Sequence, residues 1–363
     1  MIAPPSGGID VYVEYLATEL RKQGLDVTVQ GSSEEDQAFN VASRTWKSSE
    51  WVKERMNLLV DKIDFKKYDL VAFHFGKNDI EQYIPVILKQ RKINIKSIYF
   101  VHYLSRNLFS KFLNDPKTRE EVENQVYTFF DGYIFYGSFS KSFFEHKTDM
   151  KYSGLVSFLP ETHSKVQLEE SDINKFVDEF SFFPEDIPSV YILGYASDYK
   201  DPQLVIESLK YVNKPFRLIF AGRGWSKQIG FKTRVINKTH IYTIDREINT
   251  KEFKYMCEKS LFGIFPYRQP MTDDEVFQGS GVLPNFIYNG KANIAFDEGC
   301  LKENIGNSGI ILEKRDPELL GEAIENLLNN KNRVKFEILA KKRSHLFSIE
   351  KHAKDCYNYM LNF

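Results

Sequence analysis

The chain is predicted to be a two-domain α/β protein, on three observations. Helical and strand patterns alternate along nearly its whole length, as a sheet covered by helices requires. The alternation breaks once, between about Glu161 and Pro188, where the chain turns acidic and loses its strand pattern before starting again. Its 363 residues are long for one core and comfortable for two.

The first series opens oddly. Only Met1, Ile2 and Ala3 precede Pro4, whereas the first strand of a Rossmann-like half takes about five or six residues; this strand is either very short or truncated. Periodicity then predicts helices over Asp10 to Gln23, Ser49 to Lys62, Ile80 to Lys89, Lys117 to Phe129 and Ser138 to His146. Strands are expected at Val27 to Gln30, Leu70 to Phe75, Lys96 to His102, Gly132 to Tyr136 and Gly154 to Leu159. The second series predicts strands at Val190 to Leu193, Phe216 to Ala221 and His240 to Thr243, with helices at Gln203 to Tyr211 and Lys251 to Lys259. Helices over Asp316 to Asn329 and Asn332 to His345 close that half, and Ser348 caps a helical tail to Phe363. The expected division is 1–170, 171–347 and a tail 348–363.

Composition narrows the classes. With 42% hydrophobic and 27% charged residues the chain is globular, and 49 basic against 50 acidic groups supply no field to hold a nucleic-acid backbone. No apolar run approaches roughly 18 residues and no signal-peptide pattern is seen, so neither a membrane span nor secretion is expected. Cys257, Cys300 and Cys356 are scattered and lack metal-ligand spacing, which fits reduced thiols in the cytoplasm.

The most informative stretch is FPYRQPMTDDEVFQGSGVLPNFIYNGKANIAF, Phe265 to Phe296. Apolar character at Leu261 to Tyr267 suits a buried parallel strand, and Gly279-Ser280-Gly281 permits a tight turn into a helix around Val282 to Tyr288. Pro284 falls in the first turn, where a missing N–H matters least. Free amides at that helix start, with the Ser280 hydroxyl, would favour an anionic phosphate; an ordinary strand-to-helix turn is the plainer alternative.

This segment resembles the donor-site region of GT-B glycosyltransferases, especially the retaining family-4-type enzymes, through Pro266, Tyr267, Ser280, Gly281, Val282, Leu283, Gly290, Lys291 and Ile294. PPSGGIDVYVEYLATELRKQGLDVTV, Pro4 to Val29, resembles the family's opening Gly-Gly loop and helix, and GYASDYKDPQLVIESL followed by FRLIFAGRG resembles the start of its nucleotide-binding half. The resemblance runs through nearly the whole chain in order. It implies two Rossmann-like domains facing each other across a cleft, with a C-terminal helix crossing back.

The implied reaction moves a sugar from a nucleoside-diphosphate sugar to a glycan, lipid-linked or protein acceptor, with retention, and with neither cofactor nor metal. Charge develops on the departing diphosphate, so fixed dipoles and cations must meet it. The resemblance offers Gly7 and Gly8, Gly194, Lys200, Gly279, Ser280, Gly281 and Val282 for this, with Arg223 or Arg268 as further cations. His102, ending KSIYFVH, resembles the family histidine beside the reacting carbon; His74, ending LVAFH, competes for that role.

Departures from the family pattern are equally plain. Its two glutamates fall at Phe277 and Asn285, and its arginine after the strand glycine is Tyr195. Asn285 can hydrogen-bond a ribose hydroxyl without offering a charged acceptor, and Glu275 is a substitute carboxylate. These departures favour, as an alternative, a non-catalytic nucleotide-sugar-binding or partner subunit. A third reading makes Asp273 and Glu275 of TDDE the metal ligands of a GT-A enzyme, although the cluster falls inside the second half. The aromatic and basic segment Tyr103 to Leu113, with Arg106 and Lys111, would either approach a lipid-linked acceptor at the inner membrane face or pack on the neighbouring domain.

Overall fold

The computed structural model describes residues 1–3, 8–30, 49–75, 80–105, 123, 126–179, 187–271 and 275–362. Helices α1 (Gly8–Lys22), α2 (Ser49–Lys62), α3 (Ile84–Gln90) and α4 (Ser138–Thr148) interleave with strands β1 (Leu70–His74), β2 (Lys96–Val101), β3 (Leu104–Ser105), β4 (Gly132–Tyr136) and β5 (Gly154–Ser157). After α5 (Glu170–Glu179) come β6 (Ser189–Leu193), α6 (Pro202–Ser208), β7 (Phe216–Ala221), α7 (Trp225–Ile229), β8 (Thr233–Ile236), β9 (Thr239–Ile244) and α8 (Thr250–Lys259). Then follow β10 (Gly263–Phe265), β11 (Glu275–Val276), α9 (Leu283–Tyr288), β12 (Asn293–Phe296), α10 (Leu301–Ile305), β13 (Gly309–Leu312), α11 (Pro317–Leu327), α12 (Asn330–Arg343) and α13 (Ile349–Met360).

The chain forms two compact units. One comprises Met1–Phe158, Thr272–Gln278 and Ile349–Phe363; the other comprises Leu159–Met271 and Gly279–Ser348. Residues 159–170 thus belong to the second unit, and the segment around β11 belongs to the first, where Glu275 and Val276 pair antiparallel with Ser105 and Leu104.

In the first unit β1, β2, β4 and β5 form a parallel sheet in that order. Ile2 bridges both Gln30 and Phe73 in parallel, which adds two chain passes beside β1. The opening strand is therefore a single bridge, and the strand expected at Val27 to Gln30 is reduced to Gln30. In chain order the passes lie 2-1-3-4-5-6, and such a reversal leaves an open crevice at the carboxyl ends beside β1. Phe73, Tyr99, Val101 and Phe135 in the core explain the near-continuous apolar runs, since helices cover both faces of a parallel sheet. The last helix returns to this unit: the Tyr133 amide donates to the Tyr359 hydroxyl (3.2 Å), which donates to the Ser153 carbonyl (3.1 Å).

In the second unit the ladders run β6-β7-β9-β8 and β10-β12-β13, with β8 antiparallel to β9 and the rest parallel. The Leu261 amide donates to Ser189 O at 2.8 Å, joining the approach to β10 with the start of β6. The sheet reverses its winding between β6 and β10. Strand β10 is shorter than the expected Leu261 to Tyr267, because beyond Phe265 the backbone leaves the ladder. Strand β8 has three exposed residues among its four and lacks the apolar signature that marks the central strands.

Candidate functional site

The reversal between β6 and β10 brings their carboxyl ends together, and this is where ligands bind in open α/β sheets. Gly194 follows β6 with φ of +91°. A Cβ there would stand 2.8 Å from Lys200 Nζ, so glycine both suits the left-handed backbone and leaves the ammonium in place. The Gly194 carbonyl accepts from Trp225 Nε1 at 2.8 Å, and Gly222, at φ +140°, packs against the same peptide.

Lys200 is 5% exposed. Its ammonium donates to the Leu193 carbonyl at 3.0 Å and stands 5.6 Å over the Trp225 ring and 6.0 Å over Tyr267. Among the described residues it has no carboxylate partner. Burial lowers its pKa to about 7. A desolvated cation satisfied by one carbonyl and two ring faces is costly, and an arriving anion would remove most of that cost.

The glycine-rich turn lies against this cluster, with Val282 Cγ2 3.9 Å from the Cβ position of Gly194. The buried Ser280 hydroxyl bonds to Tyr267, and its Oγ accepts from the amides of Val282 (3.1 Å) and Leu283 (3.2 Å). The first helical amides are therefore capped from within rather than free, because the hydroxyl of a helix-entry serine reaches them without strain. Among the described residues no acceptor is found for the amides of Gly279, Ser280 and Gly281. Pro284 occupies the first turn of α9.

The first unit gathers a second set. His74 and His102 end adjacent parallel strands, and His74 Nδ1 lies 3.0 Å from His102 Nε2. His74 is fully buried, stacks on Phe100 at 4.1 Å, and its Nε2 has no partner among the described residues. His102 is partly exposed. Tyr12 of α1 packs edge-on to the His102 ring at 5.0 Å. Tyr136 donates to the Tyr12 hydroxyl at 2.8 Å, and Tyr12 bonds His352 Nε2 at 2.7 Å. Ser157 Oγ lies 3.0 Å from His352 Nδ1, so β5 and α13 complete the group. Burial, then His352, pushes the His102 pKa down to about 3; burial foremost also takes His74 well below the usual histidine value. Both rings are neutral near pH 7. They can orient a hydroxyl but cannot stand as cations there.

No protein-family model matches the chain, and no curated protein matches it in sequence. Solved structures do match. Sucrose-phosphate synthase from Thermosynechococcus elongatus superposes with a TM-score of 0.69 at 13% identity, over 99% of each chain. A glycosyltransferase from Rickettsia africae gives 0.68 at 15% identity, over 99% of this chain and 98% of that one. HepE of Anabaena, in complex with UDP, gives 0.64 at 13% identity, over 100% of this chain and 99% of that one.

The fold is GT-B.

Within this GT-B fold the structure brings together Gly194, Lys200, Ser280 and Val282, with Gly279 and Gly281 in the same turn. Other expected residues are engaged elsewhere. Arg223 forms an exposed ion pair with Glu247. Arg268 donates through its amide to Tyr199 O (2.8 Å) and through Nε to Asp198 O (3.2 Å), lacing the loop that carries Lys200. Asn285 is turned inward: Oδ1 accepts from the Thr162 amide (3.3 Å) and His163 Nδ1 (3.0 Å), while Nδ2 donates to Gly281 O (3.0 Å). A primary amide serves here because it can accept and donate at once, which a carboxylate cannot. His163, stacked on Phe253 at 4.1 Å, has its pKa lowered to about 4, chiefly by burial.

Phe277, at the first glutamate position, is buried. Gly8 begins α1, while Gly7, Asp273, Arg106 and Lys111 lie outside the described residues. Tyr195 is 59% exposed. Tyr267 belonged to the donor-site resemblance without a role of its own, and Trp225 was not assigned from the sequence; its signal was an aromatic directly after AGRG.

Proposed function

We propose that this protein is a glycosyltransferase whose second unit holds the diphosphate of a nucleoside-diphosphate sugar at Lys200. The observation that carries this reading is a buried ammonium without a counter-ion among the described residues, placed where the sheet reverses and beside a turn with amides to offer. HepE of Anabaena, a protein of like fold, is recorded in complexes with UDP and UDP-glucose. In the proposed transfer the bond from the anomeric carbon to the diphosphate oxygen breaks and the acceptor oxygen takes its place. The acceptor proton passes to a diphosphate oxygen, and the nucleoside diphosphate leaves. Lys200 meets the charge that develops on the leaving group; within the first unit, neutral His102 is the candidate to orient a substrate hydroxyl. Retention, metal independence and a glycan, lipid-linked or protein acceptor belong to this proposal.

The test is a thermal-shift panel of nucleoside diphosphates and their sugars, followed by nucleoside-diphosphate release with acceptor pools, with and without EDTA. A ligand at about 100 times its Kd stabilises the fold by about 2.7 kcal/mol. We expect one nucleotide class to stand out and turnover to survive chelation. Loss of turnover with EDTA and recovery with Mn²⁺ would reject metal independence.

A second reading, a binding subunit without turnover, is favoured by the inward bonding of Asn285 and the burial of Phe277. It predicts tight nucleotide-sugar binding with no nucleoside-diphosphate release from any acceptor pool.

A further inference from the structure

Helix α12 carries an outward face that glycosyl transfer does not use. At 100° per residue, Val334 and Ile338 run down its centre, with Lys341 on one side and Lys331, Lys335 and Lys342 on the other. All four lysines are exposed, and Ile338 is 52% exposed. None of the four has a carboxylate partner among the described residues. The flank of the same helix behaves differently: Arg333, its side chain 12% exposed, pairs with Glu337 at 2.9 Å and donates to the Leu327 carbonyl at 3.1 Å. Lys331 and Lys335 are instead a like-charged i,i+4 pair, and two β-branched apolar side chains stand between the cations. Like-charge repulsion and exposed apolar surface both disfavour that arrangement on a bare surface.

We infer that this face docks on an anionic lipid bilayer. The patch lies along one helix, about 16 Å from Lys331 to Lys342 at 1.5 Å per residue, and a row of cations flanking exposed apolar side chains matches the phosphates and headgroup boundary of an anionic bilayer. Val334 and Ile338 can enter the headgroup boundary while the flexible lysine stems reach lipid phosphates. The face presents neither arginine nor an aromatic ring, the groups that read nucleic acid, and the net charge of −1 gives no wider basic field.

The test is co-sedimentation of the full chain with phosphatidylcholine vesicles containing or lacking 30 mol% phosphatidylglycerol, which needs no substrate. Each lysine near such a surface contributes about fivefold to partitioning. The double variant Lys331→Gln/Lys335→Gln should therefore bind about 25-fold more weakly, Ile338→Ser should also weaken binding, and raising salt should release the parent. Because these positions are exposed, melting temperatures should match the parent, which separates lost docking from lost folding. Equal sedimentation with both vesicle types, or equal binding by parent and double variant, overturns the inference. Insensitivity to Ile338→Ser together with full competition by polyglutamate also overturns it, in favour of a general polyanion site.

Discussion

His74 Nδ1 and His102 Nε2 are 3.0 Å apart, so one hydrogen bond joins the carboxyl ends of two neighbouring parallel strands. The rings were rivals for a single role when read from sequence; the fold makes one the support of the other. His102 is the more accessible, and His74 holds it while leaving its own Nε2 unpaired. An unpaired acceptor is easier to bury than an unpaired N–H, which favours His74 as donor and leaves His102 with its proton on Nδ1.

His102→Ala is accordingly expected to lower kcat by about 10²-fold with nucleotide affinity nearly unchanged, as for a contact realised in the transition state. His74→Ala should act in the same direction through misplacement of His102. Steady-state kinetics alongside nucleotide titration decide it. A large kcat loss in His74→Ala with none in His102→Ala would assign the contact to the wrong ring.

With the diphosphate held at Lys200 as proposed, binding is linked to pH. The lysine's folded pKa of about 7 lies below the ordinary 10.5, so the unfolded chain binds more protons between these values and stability rises with pH across that window. Lys200→Met should stabilise the ligand-free protein most below pH 7, by about 1 to 4 kcal/mol, with the gain shrinking toward pH 10.5. Diphosphate affinity should fall as pH rises above 7 in the parent and stay flat in the variant, whose kcat drops by about 10²-fold or more. A parent affinity that ignores pH from 7 to 9 would remove Lys200 from the site.

Four histidines, His74 and His352 buried and His102 and His163 partly buried, act in the opposite range. The pKa values of His102 and His352 are lowered to about 3 and that of His163 to about 4, against about 6.5 when unfolded, and His74 is also held low. The unfolded chain then binds more protons as pH falls below 6.5. Stability is complete above that value and declines toward pH 3, by up to about 1.4 kcal/mol per pH unit for each group. Melts at pH 7.5, 6 and 5 should show the decline, and His352→Gln should make it shallower. Identical melting at all three values would contradict the burial of these rings.

Asn285 joins α9 to the Thr162–His163 turn, so Asn285→Ala should cost about 1 to 3 kcal/mol by orphaning buried partners. Nucleotide affinity should change little. Asn285→Asp should raise the His163 pKa, observable by NMR titration, because a carboxylate would favour the imidazolium. A tenfold affinity loss in Asn285→Ala at unchanged melting temperature would instead place this side chain on the ribose.

What could be read in the sequence was what local order encodes. Ser49 to Lys62, Val190 to Leu193 and Phe216 to Ala221 stand where periodicity put them, because a buried strand or a one-sided helix imposes its pattern on consecutive residues. Strand β8 escaped notice because an edge strand with mostly exposed residues carries no such pattern. The convergence of Gly194, Lys200 and Val282 followed from family resemblance. The inward turn of Asn285 did not: its partner His163 is 122 positions away, and nothing local distinguishes an amide that faces a ligand from one that faces its own chain.

The short ribbon at Glu275 and Val276 bears on how such proteins can be recombined. Because it pairs with Leu104 and Ser105, the halves are not interchangeable cassettes. A chimera taking its second half from a protein whose insert does not match Leu104 would leave a strand edge open to self-association. An engineer exchanging second halves between proteins of this fold would have to transplant the ribbon's recipient strand together with the incoming half, or leave the resident ribbon in place and graft around it.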